Sequence, residues 1–262
     1  MRPVPLVCAV FLLTAAGCIQ NEPAVVDGQP NPARFADLDE DYAPPPDLIV
    51  RSLDYLGIGF GKVASVIADV PVGIWDAFHR EKPSEAARQM EDVASADNRR
   101  HGINELVQYS FAQRSPYVDR YRQIGLLDPD ATVRAVAIRA LNRSRDVNST
   151  SVWQQALSDA SPLVRLEAAK ALVHIPNPDA APALGTMLGD HTEDRDVRIA
   201  AADALQHYHM LATARVLSVA LSERDFGIAW QSRRSLRILT GRDYGYDQAA
   251  WLEYFTGPEK PF

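Results

Sequence analysis

Three ten-residue stretches decide the fold: TVRAVAIRAL at 132–141, LVRLEAAKAL at 163–172 and DVRIAAADAL at 196–205. They align without gaps, and each has Val-Arg at its second and third places, an Ala three residues beyond the Arg, and Ala-Leu at the end. Alanines three apart share one helix face and let a neighbouring helix come close. The three stretches are therefore helices of one repeated unit.

Weaker copies flank them. Asn98 to Leu106 keeps an arginine, Arg99, a small residue, Gly102, and the closing leucine. Ile228 and Ala229, with Ser232, Ser235 and Leu236, keep the small face and lose the arginine. The closing leucines at 106, 141, 172, 205 and 236 lie 31 to 35 residues apart, room for two short helices and two turns. The second helix of each unit is predicted at Tyr117–Leu127, Ser151–Leu157, Ala180–Leu188, Ala212–Leu221 and Gln248–Phe255, opened by residues such as Thr150, Asp179 and Asp247 that can cap free N–H groups, with Pro116 and Pro162 at first helical positions. No segment alternates as a strand does.

Those residues resemble HEAT repeats of the short kind found in phycobilisome-lyase-like proteins, over roughly 96–255, through V-R-x-x-A-x-x-A-L. No tetratricopeptide or ankyrin signature is present. The expected fold is all-α: a solenoid of about five helix pairs over 96–256, stacked because no pair can bury its apolar face alone, with a concave surface lined by second helices. Asp130 and Arg134, like Asp194 and Arg198, stand four apart at first-helix starts. The expected role of these arginines is structural: bridging to turn carboxylates and carbonyls of the next repeat.

The N-terminal third reads differently. Residues 1–17 have Arg2, an apolar run from Val4 to Leu13 and then small residues, the layout of a secretory signal. Leu13-Thr14-Ala15-Ala16-Gly17-Cys18 resembles a bacterial lipoprotein lipobox, which implies that Cys18 is lipidated and becomes the mature N-terminus, although Ala15 stands where leucine is commoner. Ordinary cleavage nearby, or an uncleaved anchor, is the alternative. The other cysteine, Cys8, lies inside the signal, so the expected mature chain has no thiol for a disulfide or a nucleophile. Residues 18–47 follow as a tether with six prolines and seven acidic residues, too polar to fold alone. Residues 48–95 are expected to form a helical cap over the open end of the solenoid, with contact to a lipid surface as a lesser reading, and 257–262 to form a short tail.

Candidate chemistry is sparse. Gly57-Ile58-Gly59-Phe60-Gly61-Lys62 has the wrong spacing for a phosphate loop, and Val63 stands where a hydroxyl is needed. His207 and His209 would diverge on a helix, so a helix end is the plainer account. One HEAT-like enzyme, deoxyhypusine hydroxylase, holds iron through His-Glu pairs, and this chain has no such dipeptide. Arg224, Arg233, Arg234, Arg237 and Arg242 form the densest basic group, but an exported chain does not meet the chromosome, so no nucleic acid is expected. The net charge of −7 resides in the tether and the linker. Near the C-terminus, TGRDYGYDQAAW at 240–251 fails as a calcium loop on its spacing and reads instead as a turn in which Gly241 ends one helix and Asp247 caps the next.

The function expected is that of a lipid-anchored, extracytoplasmic scaffold for an unknown protein partner, without catalytic residues, metal or cofactor. Tyr117, Tyr121, Trp153 and Gln154 are its candidate binding residues. The resemblance leaves one alternative, a bilin-lyase-like or metal-dependent enzyme, or an accessory to one.

Overall fold

The computed structural model describes residues 82–258, together with a short antiparallel pairing of β1 (Val25–Val26) with β2 (Gln29–Pro30). The expected signal, Cys18, most of the tether, the Gly57–Lys62 stretch and the cap residues up to 81 lie outside the described residues. Within 82–258 the chain is all-helical: α1 (Pro83–Met90), α2 (Ala96–Leu106), α3 (Tyr117–Leu127), α4 (Ala131–Ser144), α5 (Thr150–Ala156), α6 (Pro162–His174), α7 (Ala181–Gly189), α8 (Arg195–Leu205), α9 (Leu211–Ala220), α10 (Phe226–Thr240) and α11 (Gln248–Thr256). Short 3₁₀ turns precede α3, α5 and α7.

The repeated stretches form α4, α6 and α8, and the weaker copies form α2 and α10. Their starts are set by side-chain oxygens that satisfy free backbone N–H groups. Asp130 accepts from Thr132 and Val133, Asp194 from Asp196 and Val197, and Asp225 from Gly227 and Ile228. α6 has no such cap; Pro162 at its start removes one N–H that would need a partner. Three expected starts differ. Pro116 sits just before α3, Thr150 lies inside α5 behind a turn organised by Asp146, and Asn177 rather than Asp179 caps the turn leading into α7. In the last two cases a 3₁₀ turn precedes the helix, so the capping oxygen stands one turn upstream of the expected place.

The elements stack in two layers. First helices α2, α4, α6, α8 and α10 pack successively, while α3 packs on α5, α7 on α9 and α9 on α11. The second helices α3, α5, α7 and α9 pack chiefly on the first helix that follows each of them, as α3 does on α4 and α7 on α8. α1 packs on α2 in the same way, so it extends the second-helix pattern by one element. Its approach is close enough that a Cβ on Gly102 would lie 2.4 Å from both the Ala86 carbonyl oxygen and the Met90 nitrogen. One continuous apolar core runs from Ala86 to Phe255, built on the alanines and leucines of the repeat. These features make the region a helical solenoid.

Candidate interaction surface

The repeated arginines come first because they carry most of the interior charge. Arg99 forks onto Asp128 at 2.8 and 3.0 Å, Arg134 onto Asp159 at 2.9 and 2.8 Å, and Arg165 onto Glu193 at 2.7 and 2.6 Å. Arg198 reaches Glu223 at 2.5 Å. Each acceptor stands in the turn that opens the next first helix, so the four pairs cross four successive repeat junctions. The remaining guanidinium hydrogens go to carbonyls: Asp92 and Val93 for Arg99, Asp128 and Pro129 for Arg134, Asp159 and Ala160 for Arg165, and Leu188 for Arg198. These carbonyls precede the arginine's own helix. The carboxylate thus comes from the next repeat as expected, and the carbonyls do not.

The carboxylates serve the turns as well, since Asp128 accepts from Asp130 N, Asp159 from Ser161 N and Glu193 from Asp194 N. Hydrogen bonding to the facing carboxylate holds Arg99, Arg134 and Arg165 above the usual arginine range. Planar, bidentate and largely buried pairs of this kind fix geometry as well as charge. The four arginines are committed inside the fold and are not a ligand ladder.

The aromatic candidates are core. Tyr121 and Trp153 are 0% exposed and Tyr117 is 8% exposed, so none of the three can contact a partner. The proposed binding role is corrected for a physical reason: their helices α3 and α5 turn the aromatic edge toward the first-helix layer. Burial pushes the Tyr121 hydroxyl well above the ordinary tyrosine range, and neither that hydroxyl nor Trp153 Nε1 has a hydrogen-bond partner among the described residues. Gln154 is half-buried and ties α5 to the turn before α7, donating to the Asp179 carbonyl and accepting from Asn177 Nδ2, both at 3.3 Å.

Other candidates resolve from their geometry. α8 ends at Leu205; His207 and His209 are exposed on either side of buried Tyr208, whose hydroxyl accepts from Asn177 N. Among the described residues, no three His, Cys, Asp or Glu side chains gather as metal ligands would, and no helix is long and apolar enough to cross a membrane. The stretch 240–251 is a turn. Gly241 and Gly245 have φ of 70° and 62°, Asp247 caps α11 by accepting from Ala250 N at 3.1 Å, and Trp251, fully buried, donates Nε1–H to the Gly245 carbonyl at 3.1 Å. A groove of about 650 Å³ opens between α7 and α9, floored by Leu188 and Val216 and edged by His191, Arg215 and Arg224.

The exposed apolar face lies on α10. Phe226 is 70% exposed, Trp230 48% and Ile238 51%. Arg233 forks onto Asp243 at 3.0 and 2.9 Å and stands 5.0 Å from the centre of the Tyr246 ring. Arg237 lies 3.3 Å from the same carboxylate, and Arg234 only 3.4 Å from Asp203. The Arg233 hydrogen bond, with help from Gly245 N, holds Asp243 down to about 2. Part of the basic group is therefore internally neutralised. The sequence alone points to these arginines but not to Trp230; aligning the fifth copy on the three strong ones shows a tryptophan where they carry Ala135, Leu166 and Ile199.

Comparison with known proteins agrees with the repeat. Residues 122–206 match the HEAT repeats family. That stretch spans α4, α6 and α8, so the chain has HEAT-repeat character over the part where the repeat is strongest. No curated protein sequence matches the chain.

Proposed function

We propose that the chain is a membrane-anchored, extracytoplasmic HEAT-repeat scaffold that binds another protein. The observation that carries the reading is the set of four Arg–carboxylate pairs at four successive junctions. They hold the repeats in fixed relation, and a stiff, repeated surface is suited to presenting or gripping a partner with little ordering cost on binding. HEAT repeats serve this purpose in general, since stacked repeats offer long surfaces. Anchoring rests on the lipobox-like run ending at Cys18.

Three experiments test the reading. Cys18→Ala should release the protein from the membrane fraction, and unchanged membrane association would overturn the anchor. Crosslinking in intact cells should attach the chain to a distinct protein. Stoichiometric iron or a bound tetrapyrrole in the purified chain, seen by metal analysis and absorbance, would instead favour an enzyme.

A further inference from the structure

Among the described residues α10 is the last first helix, and the repeat shows what its outer face is shaped to hold. Number each first helix from its Val position: 133 in α4, 164 in α6, 197 in α8 and 228 in α10. Two residues on stand Ala135, Leu166 and Ile199, all packed into the core, and in α10 Trp230, half exposed. Five residues on stand Ile138, Ala169 and Ala202, all fully buried, and in α10 Arg233. The two-on position faces the next first helix, since a Cβ on Gly227 of α10 would lie 3.1 Å from Cδ1 of Ile199 in α8; the five-on position borders the second-helix layer, where a Cβ on Gly125 of α3 would lie 2.9 Å from Cδ1 of Ile138. On α10 the same arc has no helix over it among the described residues.

A polar rule accompanies the apolar one. At two of the four junctions the residue six on from the Val pairs with the residue three on in the next helix, whereas Lys170 of α6 has Ala200 at the matching place in α8 and pairs with Glu167 of its own helix. Arg139 of α4 forks onto Glu167 of α6 at 3.1 and 2.9 Å, and Asp203 of α8 accepts from Gln231 of α10 at 2.7 Å. In α10 this six-on residue is Arg234, the same type as Arg139, half exposed, with its guanidinium 6.0 Å from the Trp230 ring. Its matching partner is a carboxylate in the place of Glu167. Arg237 adds positive charge beside it. By contrast, Ala229 occupies the ladder-arginine position, so nothing on α10 calls for the turn carboxylate that a complete repeat would bring.

We propose that the outer face of α10 takes one acidic amphipathic α-helix of a partner protein, laid as a sixth first helix with its apolar side on Phe226 and Trp230 and a carboxylate on Arg234. This rests on the scaffold reading and names the surface that reading lacks. Charge complementarity selects the acidic partner, and the helix-in-groove mode supplies the apolar anchor.

The test uses the full chain purified in detergent and a labelled, helix-stapled 14-residue peptide with Leu and Ala on one face and a single Glu placed as Glu167 is. A second peptide carries Lys there. Fluorescence anisotropy should show the Glu peptide binding, weakened about tenfold or more by Trp230→Ala or Arg234→Glu. The Lys peptide should bind Arg234→Glu better than it binds the parent chain. Both substituted residues are about half exposed, so unchanged thermal midpoints are expected and serve as the folding control. Absence of binding, or binding indifferent to both substitutions, overturns the proposal. So does a concentration-dependent dimer of the chain that Trp230→Ala dissolves, because the face would then pair two copies. A partner crosslinked in cells and retained equally by Trp230→Ala would leave the scaffold reading standing and remove only this surface.

Discussion

The two ends of the first-helix layer are built on opposite principles. In α2, the positions that face the previous helix elsewhere are occupied by Asn98, His101 and Glu105, whereas α4 has Val133, Val136 and Ala140 there. His101 is exposed, while its counterparts Val136, Glu167, Ala200 and Gln231 are all buried. At the other end, α10 presents Phe226 and Trp230. A solenoid needs a polar outer face where it stops, or its last helix exposes apolar area. Among the described residues the first end follows that rule and the last does not, and the proposed docking of a helix on α10 rests on this difference.

The comparison breaks or sharpens at four substitutions. The largest effect is expected for Trp251→Ala, which empties a fully buried site between Tyr244 and Phe255 and should cost about 3–5 kcal/mol in denaturant titration. Trp230→Ala, the same change on the same end, should cost less than about 1 kcal/mol, since surface substitutions seldom do more; equal losses would show that Trp230 is structural. At the first end, Gly102→Ala forces a Cβ into the backbone of α1 and should cost about 1–3 kcal/mol, with faster hydrogen exchange confined to 83–90. Uniform destabilisation without local opening would contradict the tight α1–α2 crossing.

The smallest effect concerns acid. Asp243 is held below its ordinary carboxylate value by the Arg233 hydrogen bond, to about 2 from 3.8. A depressed folded value means that the contribution is complete above the unfolded pKa and lost as pH falls from about 4 through about 2. Asp243 is exposed, so solvent screens the pair and the change is small. Asp243→Asn should flatten the pH dependence of the thermal midpoint in that window and leave neutral behaviour nearly unaltered.

Much of the architecture could be read from the chain because the repeat writes it several times over. Val133, Val164 and Val197 repeat with the same neighbours, and each sits fully buried in a first helix. The turn at 240–251 was legible for a different reason: positive φ favours glycine, and an aspartate before an apolar helix is a cap. The surface was less legible. Tyr121 and Trp153 lie on short helices whose apolar residues cover more than one arc, so periodicity does not say which arc meets the first-helix layer. Trp230 hid behind a different ambiguity, for the lost arginine at Ala229 made the fifth copy look merely degraded.

The ladder of paired charges also bears on how such a chain can change length by inheritance. Each interior unit carries its own acceptor and its own donor, Asp128 with Arg134, Asp159 with Arg165, Glu193 with Arg198. A duplicated or deleted unit therefore brings or removes both halves, and the joint closes with its pairing intact. The first unit has Asp92 in the acceptor place, where Asn98 Nδ2 meets it at 2.7 Å, and Arg99 as donor. The last has Glu223 and, at Ala229, no donor. Units can be gained or lost between these two without repair, but growth beyond the last would need a new arginine first.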